Sequence, residues 1–374
     1  MSEKISILFA GDFCASNPSQ IEVSDELKYL FDSADVKVLN FEGPLATEHF
    51  ASPNKTVLKQ SDESPKWCER NGFDIVSLAN NHLLDYGQDG CRKTIDSFQN
   101  SSVIGAGSWE ESYRVHYIDI KNKRIGFFSA SSADLASLQD RWTESGHLGA
   151  AWINHSSVNG IIQNAKKVCD YLFVMVHAGV EYMTVPLPEW RDRYKELIDL
   201  GADAVIAAHP HIVQGWEECK GHPIFYSLGN FYFDYFNEYG KPENWDKGLV
   251  AVLTVGADGN IESTAIPTIK TDNRIECDHS LEREEYNDKL CDLLSDNGIY
   301  MKRVNEYCLR FFDRYKDWLL TGFGAQEYNS PFVRTLLRFI KHLIRRDKAS
   351  YRIALHQIRE ESTRYLLIRA LRLK

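Results

Sequence analysis

Five short apolar runs in this chain each end in a polar residue of a kind that holds metal ions. Lys4–Ala10 runs into Gly11-Asp12, and Val36–Phe41 carries Asn40 into Glu42-Gly43. Asp74–Leu78 leads to Ala79-Asn80-Asn81-His82, with Asp85 and Gly87 beyond. Tyr171–Val176 ends at His177-Ala178-Gly179-Val180-Glu181-Tyr182, and Ala202–Ala208 ends at His209-Pro210-His211-Ile212-Val213-Gln214. Runs of this length, rich in β-branched and aromatic residues, read as buried strands. Helical patterns fall between them at Val23–Phe31, 64–71, Gln88–Gln99, Ser156–Lys167 and Pro188–Leu200. The alternation predicts βαβ units in one sheet, with the polar clusters gathered at its carboxyl edge.

Taken singly, each cluster has a bland meaning. Gly-Asp is a common turn, an Asn caps a helix, and one His at a strand end is usually structural. Their recurrence at successive strand ends changes the weighing. Asp12, Glu42, Asn81, His177, His209 and His211 together form a mixed oxygen and nitrogen donor set. Such a set suits Mn, Fe or Zn rather than a thiolate-bound structural zinc. Six donors exceed the needs of one ion with an open position but suit two divalent metal ions sharing a carboxylate, a centre that can clamp a phosphoryl group. His82 is the candidate proton donor to a leaving group, with Asp85 close by in sequence. Cys14 can face the same way as Asp12, although a small buried thiol is its commoner role.

The total of 374 residues allows one large α/β domain with an appendage, or two domains. A net charge of −10 argues against a nucleic-acid partner. Eight cysteines without CxxC spacing suit a reducing compartment, no apolar run reaches membrane-spanning length, and Met1–Lys4 leads directly into a strand. A cytoplasmic location is therefore expected. Residues 44–63 read as a loop over the site, and residues 131–155 as a long irregular segment without an interpretable motif. Two strands, roughly Gly215–Glu218 and His222–Ser227, run into Ser227-Leu228-Gly229-Asn230-Phe231, and Lys247–Val255 with Asn260–Pro267 forms a final hairpin. From about residue 280 strand signals vanish, and Leu281–Leu320 and Pro331–Lys374 read as helices. Between Arg334 and Lys374 twelve Lys and Arg oppose three acids, a net +9. That region reads as a helical flank with a solvated basic face, or as a docking surface for an acidic polymer, an anionic membrane face or a partner protein.

The ordered motifs resemble the bacterial capsule-synthesis CapA proteins of the poly-γ-glutamate type, a branch of the calcineurin-like metallophosphoesterases. The resemblance spans roughly residues 4–267. It implies an α/β fold, a four-layer α/β/β/α sandwich, over residues 1–275, with residues 280–374 as a helical extension outside it. It further implies that Asp12 and His211 hold one metal, that Asn81, His177 and His209 hold the other, and that Glu42 bridges them. By the same resemblance His82 contacts the scissile phosphate, while Asn40, Asn80, Asp85, Glu181, Gln214 and Asn230 support ligands or position substrate. Where the superfamily carries Asp-x-His in its first motif, this chain has Asp12-Phe13-Cys14, so that Cys14 is either a soft ligand or a missing one. The implied activity is hydrolysis of a phosphate ester, the substrate being anionic, a polymer or a phosphate ester, in capsule or exopolymer synthesis. Two other readings stay open: a non-catalytic, polymer-handling assembly protein docked to a membrane-bound synthase through its basic helices, and an amide hydrolase using the same metals.

Overall fold

A computed structural model describes residues 4–48, 56–234, 241–321 and 359–373, with the side chains of 314–321 excepted. The first sheet runs from edge to edge through Glu22–Val23 (β2), Arg274–Cys277 (β18), Ile261–Thr271 (β17), Lys247–Val255 (β16), Ile5–Cys14 (β1), Val36–Phe41 (β3), Ile75–Ser77 (β4) and Ser102–Ile104 (β5). Asn230–Phe233 (β15) pairs with the far end of β1. The second sheet runs Trp216–Cys219 (β13), His222–Phe225 (β14), Ala204–Ala208 (β12), Tyr171–His177 (β11), Lys123–Ser131 (β8) and His116–Ile120 (β7). Ala106–Gly107 (β6), Gly149–Ala151 (β10) and Ser137–Leu138 (β9) make a small third sheet.

Strand alternation divides the core into layers. In β1, Ile5, Ile7 and Phe9 face the same buried cluster as Phe127 of β8, Phe173 and Met175 of β11, and Ile206 of β12. This cluster is the seam between the two large sheets. The alternate residues Leu8 and Ala10 point the other way, onto Leu27 and Phe31 of α1 (Asp25–Ser33), Trp67 of α2 (Ser64–Arg70) and Cys91 of α3 (Gly87–Ser97). On the second sheet Phe128, Leu172, Val174, Val176, Val205 and Ala207 form the outer face. They meet Val158 and Ile162 of α5 (Ser156–Lys166) and Trp190 and Leu197 of α6 (Pro188–Asp199). The order helix, sheet, sheet, helix is the four-layer α/β/β/α sandwich.

Three expectations need correction. The site strands belong to two facing sheets, not one, because hydrophobic runs of equal length carry no signal of which neighbour they pair with. Residues 131–155 are partly ordered into β9 and β10 and include the bridge Ser131–Trp152. The helix expected over 281–320 breaks at Asp296, whose Oδ1 accepts from Ile299 N–H at 2.9 Å and caps the second segment. The two segments are α7 (Leu281–Ser295) and α8 (Asn297–Thr321). The final helix covers Glu361–Leu373 and packs against α8 through Leu366 and Ala370. Most of the basic stretch 334–374, including all of 334–358, lies outside the described residues. Among the described residues no helix is long and apolar enough to cross a membrane.

Candidate metal centre

The carboxyl ends of β1, β3, β4, β11 and β12 converge where the sheets meet. Asp12 sits in β1 just past a close backbone crossing. Its N–H donates to the Gly229 carbonyl at 3.0 Å, and a Cβ on the preceding Gly11 would lie 2.0 Å from that oxygen. Glycine is required there by contact, and the pairing of β1 shifts register on both sides of Asp12. The turn after β12 is equally constrained. His209 and His211 adopt φ of +101° and +59°, a region sparsely occupied by side-chain-bearing residues and typical of functional sites.

Glu42 is the hub. Its Oε1 lies 3.8 Å from His177 Nε2, 3.6 Å from His211 Nε2 and 3.9 Å from His82 Nε2. Two sets of donor atoms, Asp12 with Glu42 and His177, and Glu42 with His209 and His211, each gather within 4.8 Å, and Glu42 belongs to both. Asp12 stands between them, 3.7 Å from His177 Nδ1 and 3.5 Å from His211 Nδ1. Asn81 Oδ1 lies 3.0 Å from His177 Nε2, the nitrogen that also approaches His209 Nδ1 at 3.2 Å. Nitrogen and oxygen donors crowded this way around one carboxylate suit divalent cations, whose charge would relieve the burial of two acids.

The remaining polar side chains fix this geometry. Asn40 Nδ2 donates to Asp12 Oδ1 at 2.7 Å and lies 3.2 Å from His177 Nδ1. The Asp12 carboxylate also accepts from His209 N–H at 3.1 Å. Asn230 Oδ1 meets His211 Nδ1 at 3.0 Å, while its own amide donates to the Trp245 carbonyl. Asn80 ties two strand ends together, donating to the Phe41 carbonyl and accepting from Gly43 N–H and His82 N–H. Asp85 Oδ2 lies 2.6 Å from His82 Nδ1 and accepts from Leu58 N–H at 2.8 Å.

Burial governs the protonation of the cluster. It pushes Asp12 up to about 7 against the opposing hydrogen bonds from His209 and Asn40. Burial, with the neighbouring imidazoles, holds His177 well below its usual value. It also lowers His211 to about 4, although the Asn230 contact works the other way. These imidazoles are therefore neutral at pH 7, the form that offers a lone pair.

Two expected residues stand apart. Cys14 belongs to neither donor set: it packs with Leu58, Phe233 and Trp245, and its thiol, pushed up first by burial, approaches the Lys59 carbonyl at 3.8 Å. Gln214 donates to the Met183 carbonyl at 2.7 Å, so it braces the loop after β11 rather than the cluster. Glu181, on that loop, is exposed and lines a cavity of about 560 Å³ together with Asn81, His82 and His209. The same cavity is lined by residues not anticipated from sequence: Thr56, Ser132 and Asp134, and from the C-terminal helical region Tyr307, Arg310 and Glu360. No local pattern marks them, because they reach the site only through tertiary packing.

Comparison with known proteins places these observations in a family. The chain is 31% identical over 206 residues to the capsule biosynthesis protein CapA of Bacillus anthracis, covering 52% of this chain and 49% of that protein. It is 32% identical over 251 residues to the PGA biosynthesis protein CapA of Bacillus subtilis, covering 63% of this chain and 62% of that one. The chain thus spans about half to three-fifths of these curated relatives. Among solved structures it is similar to the calcineurin-like phosphoesterase YfkN from Bacillus subtilis, with a TM-score of 0.41 at 14% identity, covering 73% of this chain and 88% of that one. Residues 7–235, from the third residue of β1 to just past β15, match the bacterial capsule synthesis protein PGA_cap family, and the chain belongs to that family.

Proposed function

We propose that the protein is a metal-dependent hydrolase of phosphate esters, working through a dinuclear centre in capsule or exopolymer synthesis. The observation that carries this reading is the sharing of Glu42 between two donor sets. Asp12, Glu42, Asn81, His177, His209 and His211 would hold the ions. Two divalent cations there would supply charge neutralisation at phosphorus and an activated water as nucleophile.

The chain's own groups supply the rest. Asp85 Oδ2, 2.6 Å from His82 Nδ1, holds that nitrogen as the N–H donor and orients the ring. His82 Nε2 would then carry a proton toward a leaving oxygen, and the Asp85 carboxylate would stabilise the imidazolium while it does so. Asn40 and Asn230 lock the rotamers of Asp12, His177 and His211, so little reorganisation accompanies turnover. The capsule setting is supported by the family and by the names of its Bacillus members.

The test is hydrolysis of bis(p-nitrophenyl) phosphate by chelator-stripped protein, with and without Mn²⁺, beside His209→Ala and His82→Ala. Turnover that requires Mn²⁺ and falls by at least about a hundredfold in both variants is expected. Full metal-dependent turnover in both would remove this site from the reaction.

A further inference from the structure

Residues beyond 235 lie outside the family match, yet the cavity over the donor cluster is incomplete without them. Helix α8 grips the loop that follows His177. Tyr300 Oη donates to the Pro186 carbonyl at 3.0 Å, and Tyr307 Oη donates to the Tyr182 carbonyl at 2.7 Å. Tyr182 sits at φ +62° with its ring 6.4 Å from that of His211. On the other side of the opening, the start of the final helix grips the segment after β8. Glu361 is buried and accepts from Ala133 N–H at 2.8 Å, Trp152 Nε1 at 2.8 Å and Asn154 Nδ2 at 3.1 Å. The first grip falls on the loop that leaves β11, and the second on the segment that leaves its neighbour β8.

This anchoring sets a cation on the cavity wall. The guanidinium of Arg310 lies over the Tyr307 ring, 4.4 Å from its centroid, and lines the same cavity as His82 and His209. Tyr307 is itself fixed through its hydroxyl, so the stacked guanidinium is held in place. Among the described residues Arg310 has no ion pair with a carboxylate of the chain. A planar guanidinium is suited to bidentate contact with a carboxylate or phosphate.

We propose that the C-terminal helices form the outer wall of the substrate cleft, and that Arg310 binds an anionic group of the substrate distal to the group at the donor cluster. This rests on the hydrolase reading above and narrows it: the substrate carries at least two anionic groups, as a segment of a polyanionic chain does. The C-terminal region is then part of the binding site, in addition to any docking role of its basic stretch.

The test is calorimetric binding to the full-length, Mn²⁺-loaded protein, with pentaglutamate and tripolyphosphate as separate probes, so that carboxylate and phosphate sources are told apart. Arg310→Ala is expected to weaken at least one probe about tenfold, roughly 1.4 kcal/mol, and Arg310→Lys to restore part of that loss. Acetate, which has a single anionic group for the cluster and none for Arg310, should bind both variants as it binds the wild type. Failure of the wild type to bind either probe, or equal affinities in Arg310→Ala and wild type, overturns the proposal. Neither result depends on turnover, whereas loss of the hydrolase reading shows as metal-dependent hydrolysis that survives His209→Ala.

Discussion

Glu361→Ala should uncouple the C-terminal helix from the sandwich. The residue is 1% exposed, and three of its hydrogen-bond donors sit on the segment between β8 and α5, while Tyr365 Oη donates to it at 3.2 Å from its own helix. Truncation leaves the Ala133 amide and the Trp152 indole N–H without their acceptor. Each buried donor so stranded costs about 1–3 kcal/mol, which together predicts a loss of about 2–6 kcal/mol. Arg359, two residues earlier, holds Glu144 at 2.9 Å, and Arg369 holds Glu189 at 2.7 Å. These partly exposed pairs contribute about 1 kcal/mol or less each and cannot replace the lost anchor. Urea unfolding gives the stability change, and limited proteolysis reports whether cleavage at the start of the helix accelerates. Glu361→Gln retains the shape but turns an amide N–H toward a donor, so it should fall between the wild type and Glu361→Ala. A change below about 0.5 kcal/mol in Glu361→Ala, with unaltered proteolysis, would refute the anchoring argument.

Mn²⁺ at about a hundred times its Kd should raise the unfolding free energy by about 2.7 kcal/mol, read as a higher melting temperature, and His209→Ala should abolish that rise. Cys14→Ser should leave the number of bound metal ions unchanged by elemental analysis, since its side chain packs with Leu58, Phe233 and Trp245. Burial raises Glu217, but Arg191, Tyr226 and Lys195 outweigh it and hold the carboxyl at about 2, below its usual 4.5. A depressed acid stabilises the fold above its unfolded value and loses that contribution as pH falls through its folded value, so about 3 kcal/mol should disappear between roughly pH 5 and pH 2. Urea titrations across that window should show the slope in the wild type and a reduced one in Glu217→Gln. Gly11→Ala drives a methyl onto the Gly229 carbonyl at 2.0 Å and should cost about 3 kcal/mol or more, measured as soluble yield and denaturation midpoint.

The strands carrying the donors were legible because burial imposes an unbroken apolar pattern; β3 spans Val36–Phe41 as expected, and β11 extends the expected Tyr171–Val176 by one residue, His177. Short strands were not. Glu22–Val23, Ser102–Ile104, Asn230–Phe233 and Arg274–Cys277 are too brief, at four residues or fewer, for a period to show. The donor residues could be named because Asp, Glu, Asn and His at strand ends carry chemistry in their identity. Their mutual distances could not, since these depend on how two sheets face each other: Asp12 lies near both His177 and His211, at 3.7 and 3.5 Å. Arg310 and Glu361 were invisible for another reason: in sequence they are ordinary members of charged helices, and only the docking of those helices brings them to the cleft and to the loops beside it.

The geometry of the cluster explains why it sits at a junction between sheets rather than within one. Parallel strands in one sheet place their carboxyl ends side by side about 4.8 Å apart, so donors from one sheet form a row. A coordination shell needs donors from more than one direction. Here Asp12, Glu42 and Asn81 come from the first sheet and His177, His209 and His211 from the second, so each half supplies what the other lacks. Oxygen donors lie on one side and nitrogen donors on the other, with Glu42 reaching across to His177 and His211. The packed seam of Phe9, Phe127 and Phe173 lies between the same two sheets and fixes the distance between the halves. A core substitution that alters that spacing, such as Phe173→Ala, would act on metal affinity without touching a ligand, because the seam and the centre are two ends of the same interface.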